Sequence, residues 1–335
     1  MELKRVSENS PPCRPLIFGE TLVDELPSGP RPGGAPLNVA RHLQAFGARP
    51  LLVTRIGADS AGESLFAAMR RWRLDTSGVQ TDSILPTGRA VVTLAAGSAT
   101  FEIPAPAAFD AIDADSAARA ASAGETRTIV YGTLAIREPT SRMALAAILE
   151  SAPGAERVVD LNLRPPWDSR VLASLALDLG DVARLSTDEL RAVSMVSRRA
   201  EDSESLARRL LKRRVLRSVI VTSGASGSFR IDADGGLTRV EGSPISGAFV
   251  DSVGAGDAFT AVCVLGLLRG WQQKVSMAFA DAFARAICTV AGALPASEDF
   301  YEPFCRSFPR GSGDLNDEPM RLETIFGPNS KGPPV

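Results

Sequence analysis

Short apolar runs alternate with amphipathic stretches along most of this 335-residue chain. The runs that predict buried strands are 16–20, 51–56, 128–131, 157–161, 182–185 and 218–221. Apolar residues recur at helical spacing in the segments 37–46, 60–72, 141–149, 188–196, 203–213, 258–268 and 273–290. Strands that alternate with helices in this way predict a mostly parallel central sheet with helices on both faces, which is an α/β fold.

Three further strand-like segments fall outside this alternation. Residues 21–26 alternate in polarity, and 89–95 and 100–103 predict a hairpin around the turn at 96–98. Together they predict a small second β-sheet built from about 20–32 and 87–106, with a Gly- and Pro-rich loop at 28–36. The segments 227–231 and 237–240 predict another hairpin. Polar sequence at 1–15 and 306–335 predicts flexible termini around a domain spanning 16–305.

The overall charge and composition argue against several classes of protein. A net charge of −2 gives no reason to expect nucleic acid or a membrane as a partner, and no apolar run is long enough to cross a bilayer. The first fifteen residues do not resemble a secretion signal, so we expect a cytoplasmic protein. Four dispersed cysteines and a single histidine, His42, disfavour a zinc site and a Ser-His-Asp hydrolase. Because only four of the 37 basic residues are lysines, an arginine is the expected phosphate-binding cation.

The most informative stretch is Asp251-Ser-Val-Gly-Ala-Gly-Asp257, which an apolar helical pattern follows at once. Two glycines and an alanine predict a tight turn into a helix N-terminus, where backbone amides lack intrahelical partners and the dipole is positive. Such an end suits an anion such as phosphate. Asp257 falls in the first helical turn, so its carboxylate could take a proton from a hydroxyl group that attacks phosphorus. An ordinary turn before an acidic helix start fits the tetrapeptide alone equally well.

A second glycine motif opens the helix predicted at 37–46. Gly33 and Gly34 give a side-chain-free approach, Pro36 fits the first helical turn, and Asn38 offers both a donor and an acceptor. Such a surface suits the alternating hydroxyl groups of a sugar, although glycine and asparagine are also common at helix caps.

The two motifs together resemble the two signatures of the ribokinase (PfkB) family of sugar kinases. Residues 33–40, with 43, 47 and 55–62, are similar to the N-terminal signature, and 251–259 are similar to the C-terminal one. The resemblance runs from about 16 to 296 and implies a ribokinase-like fold in which the small sheet is a lid. The segments most similar to bacterial fructokinases are 19–24, 31–36, 132–135, 160–167 and 185–190.

The resemblance implies an ATP-dependent kinase that phosphorylates a sugar hydroxyl group, with fructose to fructose 6-phosphate as the leading reaction. Asp257 would be the general base, and Gly254, Ala255 and Gly256 would supply the amides of an anion hole. The positions that match sugar or phosphate contacts are Asp24, Gly33, Gly34, Asn38 and Arg164. The positions that match ATP contacts are Ser223, Gly224 and Gly227.

Two metal sites follow from the same resemblance. Glu189 matches a glutamate that orders Mg²⁺ through water, with Ser186 at the position of an asparagine. The carbonyl oxygens of Asp251 and Val253 match a K⁺ site. Magnesium that bridges phosphate oxygens keeps most of its water, so few direct protein ligands are expected. An exposed apolar face on the lid implies a homodimer.

One segment departs from the fructokinase pattern. The lid strand at 101–105 lacks the arginine that fructokinases carry, and 107–110 only partly replace their Ser-Ala-Asp turn. Other sugars therefore stay open, namely 2-keto-3-deoxygluconate, ribose or a nucleoside, as does a non-catalytic regulator that binds sugar or nucleotide. A dinucleotide dehydrogenase and a Walker-type ATPase are disfavoured, because the sequence lacks Gly-x-Gly-x-x-Gly after the first strand and any Gly-Lys-Ser/Thr loop.

Overall fold

The computed structural model describes residues 14–26, 29–95, 98–194 and 201–311. Its strands are β1 (Arg14–Phe18), β2 (Leu22–Leu26), β3 (Gly29–Gly33), β4 (Leu51–Gly57), β5 (Val79–Asp82), β6 (Gly88–Ala95), β7 (Ser98–Glu102), β8 (Thr126–Tyr131), β9 (Glu156–Asp160), β10 (Val182–Ser186), β11 (Ser218–Thr222), β12 (Ser228–Asp232) and β13 (Leu237–Val240). Its α-helices are α1 (Ala35–Ala45), α2 (Ser60–Arg71), α3 (Ala114–Ser122), α4 (Pro139–Ser151), α5 (Arg170–Asp178), α6 (Thr187–Ser194), α7 (Ser203–Arg213), α8 (Ala255–Arg269), α9 (Gln273–Ile287) and α10 (Glu302–Ser307).

The main sheet has nine strands in the order β13-β12-β11-β10-β9-β8-β1-β4-β5. Neighbours from β11 to β5 are parallel, whereas β12 and β13 add an antiparallel hairpin at one edge. Side chains of one strand alternate between the faces, so that Leu16 and Phe18 belong to one hydrophobic core and Ile17 to the other. The predicted mostly parallel α/β sheet is confirmed.

Helices cover both faces of this sheet. Helices α3, α4, α5 and α7 contribute to the core that contains Leu16, and α1, α2, α8, α9 and α10 contribute to the core that contains Ile17. The helices that carry the two glycine motifs, α1 and α8, therefore lie on the same face, where they pack against each other. None of the described helices is both long and apolar enough to span a membrane.

A separate four-stranded sheet has the order β3-β2-β6-β7, which confirms the predicted small sheet. We call this sheet the lid. Strand β2 pairs with β3 in antiparallel register, with Asp24 opposite Arg31. The prediction of a loop at 28–36 is wrong for Gly29–Gly33, which forms a strand. Its prolines, Pro30 and Pro32, are tolerated because β3 lies at the edge of the sheet, where ladder hydrogen bonds on one side are not needed.

The packed part of the chain continues past the predicted boundary at residue 305. Phe308 is 4% exposed, and its ring centroid lies 4.9 Å from those of Phe46 and Phe279. The indole nitrogen of Trp271 donates to the Pro309 carbonyl at 3.0 Å. Aromatic burial therefore holds this segment despite its polar composition. The chain at 1–13 and 312–335, the turn residues 96–97 and the end of the helix predicted at 188–196 lie outside the described residues.

Candidate active site

The C-terminal glycine motif forms a left-handed turn into helix α8. The helix begins at Ala255, earlier than the apolar pattern predicts, because Gly254 adopts φ 76° as its N-cap. A Cβ atom on Gly254 would lie 2.5 Å from the Cα atom of Ala293, so only glycine fits this position without a shift. Asp257 lies in the first turn, as predicted, and it is buried.

The backbone amides of this turn differ in whether they already have an acceptor. The amide of Ala255 donates to the Ser252 carbonyl at 3.2 Å, and the amide of Ala258 donates to the Gly254 carbonyl at 2.9 Å. The amides of Gly256 and Asp257 lie between them, in the first turn, where an α-helix offers no acceptor of its own. The amides best placed for an anion are therefore those of Gly256 and Asp257. The amide of Ala255, which was also predicted to bind the anion, already donates to the Ser252 carbonyl.

A direct hydrogen bond joins the two glycine motifs. The Nδ2 atom of Asn38, in the second turn of α1, donates to Oδ2 of Asp257 at 2.7 Å, and both side chains are buried. The Oδ1 atom of Asn38 is buried without a hydrogen-bond partner among the described residues. Since a buried amide oxygen normally has a partner, this atom is available to accept a hydrogen bond from a bound hydroxyl group.

The lid brings the other predicted sugar contacts to the same end of the sheet. The carboxylate of Asp24 lies against Gly33, in the space where a side chain at residue 33 would begin, and Gly34 caps α1. Asp24 also lines a cavity of about 620 Å³ between the lid and residues 291–296. That volume is in the usual range for a small-molecule site. Asp24 therefore contacts Gly33 within the lid, Gly34 begins α1, and Asn38 lies one turn further along that helix.

Three carboxyl groups in this region have raised pKa values; Glu20 and Asp257 are buried, and Asp24 is half-buried. Burial raises the pKa of Asp257 to about 6, with a further rise from the nearby Asp160. Burial also raises the pKa of Asp24 to about 6 and that of Glu20 to about 7. The charge of Arg164, an exposed residue, opposes all three rises, which places its guanidinium in the field of this site. A carboxylate whose pKa lies near neutrality is well suited to accept a proton.

The predicted nucleotide turn follows β11 at the same carboxyl-terminal edge of the sheet. The hydroxyl of Ser223 lies 2.9 Å from that of Thr187, and Arg285 donates to the carbonyls of Gly224 at 3.2 Å and Ala225 at 3.0 Å. Gly227 ends the turn with φ 92°. These contacts fix the turn at this edge of the sheet.

The predicted metal residues have structural contacts of their own. Oε1 of Glu189 accepts from the Leu163 amide at 2.8 Å, and Oε2 accepts from the Ser186 amide at 2.7 Å, so this carboxylate fixes the segment before Arg164 to the start of α6. Asp251 accepts from the Val253 amide at 2.8 Å and from the Gly292 amide at 3.0 Å. Among the described residues, no three acidic, histidine or cysteine side chains are grouped to hold a metal ion.

Sequence reasoning assigned no role to two charged residues beneath this site. Nη1 of Arg184 on β10 donates to Oδ1 of Asp160 at 3.1 Å, and Nη2 donates to the Thr222 hydroxyl at 2.8 Å. The hydroxyl of Thr260 on α8 donates to Oδ2 of Asp160 at 2.6 Å. The signal for this pair was an arginine inside an otherwise apolar strand at 182–185, because a buried charge needs a partner.

The fold and the site together define a class of protein. A parallel sheet covered on both faces, a small lid and a buried aspartate at a glycine-capped helix N-terminus form the architecture of ribokinase-like sugar kinases. The profile of the pfkB family carbohydrate kinases matches residues 25–299, and this chain belongs to that family. The predicted family is confirmed, and the protein is a carbohydrate kinase.

Relatives of known sequence and structure agree with this family. The chain is 28% identical to probable fructokinase-7 of Arabidopsis thaliana over 310 residues, covering 84% of this chain and 88% of the relative. It is 29% identical to the fructokinase of Klebsiella pneumoniae over 264 residues, covering 75% and 83%. The aminoimidazole riboside kinase of Salmonella enterica superposes with a TM-score of 0.72 at 22% identity, covering 87% and 99%. The fructokinase of Vibrio cholerae, in a form with fructose, ADP and calcium bound, superposes with a TM-score of 0.71 at 22% identity, covering 87% and 98%.

Proposed function

We propose that this protein transfers the γ-phosphoryl group of ATP to a sugar hydroxyl group, and that the sugar is fructose, which would become fructose 6-phosphate. The observation that carries the proposal is the buried Asn38–Asp257 hydrogen bond of 2.7 Å. It lies at the N-terminus of helix α8, where the first backbone amides have no acceptor within the helix. The similarity to relatives named fructokinase supports fructose, over other sugars, as the proposed substrate.

In this mechanism Asp257 accepts the proton of the attacking hydroxyl group while the sugar oxygen forms its bond to the γ-phosphorus, and the bond from that phosphorus to the bridging oxygen breaks to release ADP. The Asn38 amide holds the Asp257 carboxylate in one orientation and leaves its own Oδ1 for a second sugar hydroxyl group. The amides of Gly256 and Asp257, with the positive end of the helix dipole, stabilise the charge that develops on the transferring phosphoryl oxygens. Arg164, whose charge acts on Asp257, Asp24 and Glu20, contributes positive charge to the site.

Magnesium would enter with the nucleotide and neutralise phosphate charge. An ion that binds phosphate oxygens and keeps its water needs few protein ligands. Glu189 fits that role through Oε1, which accepts one hydrogen bond from the Leu163 amide and can accept another from metal-bound water, whereas Oε2 already accepts two from Ser186. Ser223, Gly224 and Gly227 would contact ATP. We also propose a homodimer that pairs through the lid.

The carbonyl oxygens of Asp251 and Val253 are proposed to bind K⁺, because backbone carbonyls can replace the hydration shell of this ion. We expect turnover in potassium chloride to exceed turnover in sodium chloride of equal ionic strength. Equal rates in the two salts would remove the potassium site and leave the rest of the proposal intact.

A sugar panel tests the substrate. We expect kcat/KM, measured as ADP release, to be at least about tenfold higher for fructose than for 2-keto-3-deoxygluconate, ribose or a nucleoside. Asp24→Asn should raise KM for the preferred sugar more than it lowers kcat, because Asp24 contacts the sugar and not the reacting atoms. A higher kcat/KM for another sugar would reassign the substrate. If no sugar gives ADP, the protein is a non-catalytic binder of sugar or nucleotide.

A further inference from the structure

The Asp160–Arg184 ion pair connects the nucleotide turn to the catalytic helix. Arg184 reaches Thr222, which directly precedes the nucleotide turn, and Asp160 reaches Thr260 in the turn of α8 after Asp257. The side chains of Arg184 and Asp160 are 12% and 6% exposed. The pair on β9 and β10 and its partner Thr222 on β11 therefore connect three adjacent strands beneath the proposed site of phosphoryl transfer.

Arg184 also lies directly under the phosphate-binding turn. A Cβ atom on Gly256 would lie 2.9 Å from Nη1 and 3.1 Å from Nη2 of Arg184, so the guanidinium occupies the space that a side chain at residue 256 would need. Arginine suits this position because its planar fork can donate to two strands at once, whereas the ammonium group of lysine is a single point of charge.

We propose that Arg184 and Asp160 are positioning residues for phosphoryl transfer, in which Arg184 supports the turn that binds the phosphate and the two charges together set the ionisation of the Asp257 carboxylate. This inference rests on the proposed role of Asp257 as the base. The two opposite charges act on the same base with opposite signs, and neither side chain needs to touch the substrate.

Besides Asp160 on β9 and Arg184 on β10, other groups influence the ionisation of Asp257 and are unchanged in the variants. They are Glu20 after β1, Asn38 on α1 and Arg164 after β9. Glu189 on α6 acts on both members of the ion pair. Burial raises the pKa of Asp160, and Arg184 opposes that rise.

The test is the pH dependence of kcat/KM for the sugar in two single variants. Arg184→Gln removes a positive charge that favours the ionised base, so the acidic limb should move to higher pH by about one unit. Asp160→Asn removes a negative charge that disfavours the ionised base, so the acidic limb should move to lower pH by about one unit. The double variant should return the limb to near its wild-type position.

Two further variants separate charge from geometry. Arg184→Lys keeps the charge but replaces the planar fork, whose two nitrogens bond Asp160 and Thr222 separately, with one ammonium group, so its acidic limb should stay near that of the wild type while kcat falls. Arg230→Gln is the matched control, since the Arg230 side chain on β12 is also 12% exposed and is paired with Asp232. It should leave the limb unmoved.

The single variants are expected to have lower thermal stability, because each leaves a buried charge without its partner. The neutral double variant provides a folded reference. If both single variants shift the limb in the same direction, or neither shifts it, the inference is overturned and the pair is structural only. A failure of the base assignment is distinguishable, because Asp257→Asn would then retain turnover.

Discussion

Asp257→Asn should lower kcat by about 10²- to 10⁴-fold while KM for ATP changes little, because the variant loses the proton acceptor but keeps the shape of the site. In the wild-type enzyme, kcat/KM should fall as pH decreases through about 6, the value to which burial raises the pKa of Asp257. The value of kcat/KM falls toward low pH because only the ionised carboxylate can accept a proton. Steady-state rates across pH 5 to 8 would measure both effects.

The matched control for this variant is Asp82→Asn. The Asp82 carboxylate is also buried, and Arg55 lies 2.9 Å away, but it stands at the end of the edge strand β5, away from the glycine motifs. Its neutralisation should reduce stability and leave kcat of the folded protein unchanged. Near-normal turnover by Asp257→Asn, or an equal loss in Asp82→Asn, would contradict the base assignment.

Local sequence patterns predicted helices α1 and α8 well because their signals are short-range. Glycine before an apolar helical run predicts a turn and a helix N-terminus wherever the rest of the chain lies, and both α1 and α8 begin at such a motif. The hydrogen bond between Asn38 and Asp257 links positions 219 residues apart, and only the resemblance to a family suggested that the two motifs meet.

Features that depend on long-range packing were missed for a physical reason. Phe308 lies in a segment whose composition predicts flexibility, and it is buried because distant aromatic residues form its pocket. Strand β3 contains prolines that predict a loop, and it pairs because it occupies an edge. Arg184 is recognisable as a charge within an apolar strand, but its partners Asp160 and Thr222 lie 24 and 38 residues away in the sequence. None of these partners can be identified from local periodicity.

Glu189 illustrates a different limit of prediction from sequence, which is that a motif identifies a residue without showing how the residue acts. A family motif marks the residue, and the structure gives its carboxylate three hydrogen bonds that fix the loop before Arg164 to the start of α6. A residue that matches a family motif can therefore act by positioning a neighbouring segment, as Glu189 does for the loop before Arg164. The same distinction separates Asp257, which would touch the reacting hydroxyl group, from Arg184 and Asp160, which act through it.

Gly254→Ala should have the second large effect, lowering kcat by about 100-fold through displacement of the phosphate-binding turn. Gly254 has φ 76°, a conformation that costs alanine about 1–2 kcal/mol. The added Cβ would also lie 2.5 Å from the Ala293 Cα atom, a contact that only backbone movement can relieve. Because Gly254 caps α8, that movement would shift the amides of Gly256 and Asp257.

Gly47→Ala separates backbone strain from the contact with Ala293. Gly47 has φ 78°, almost the same as Gly254, and no described atom lies within 4 Å of the Cβ position. Both variants should therefore lose about 1–2 kcal/mol of unfolding free energy from strain, as measured by denaturant titration. Only Gly254→Ala should lose more than this, and only Gly254→Ala should lose kcat. Equal stability losses with unchanged kcat in both variants would mean that the turn tolerates a side chain, and that the helix-end amides do not need their observed positions for phosphoryl transfer.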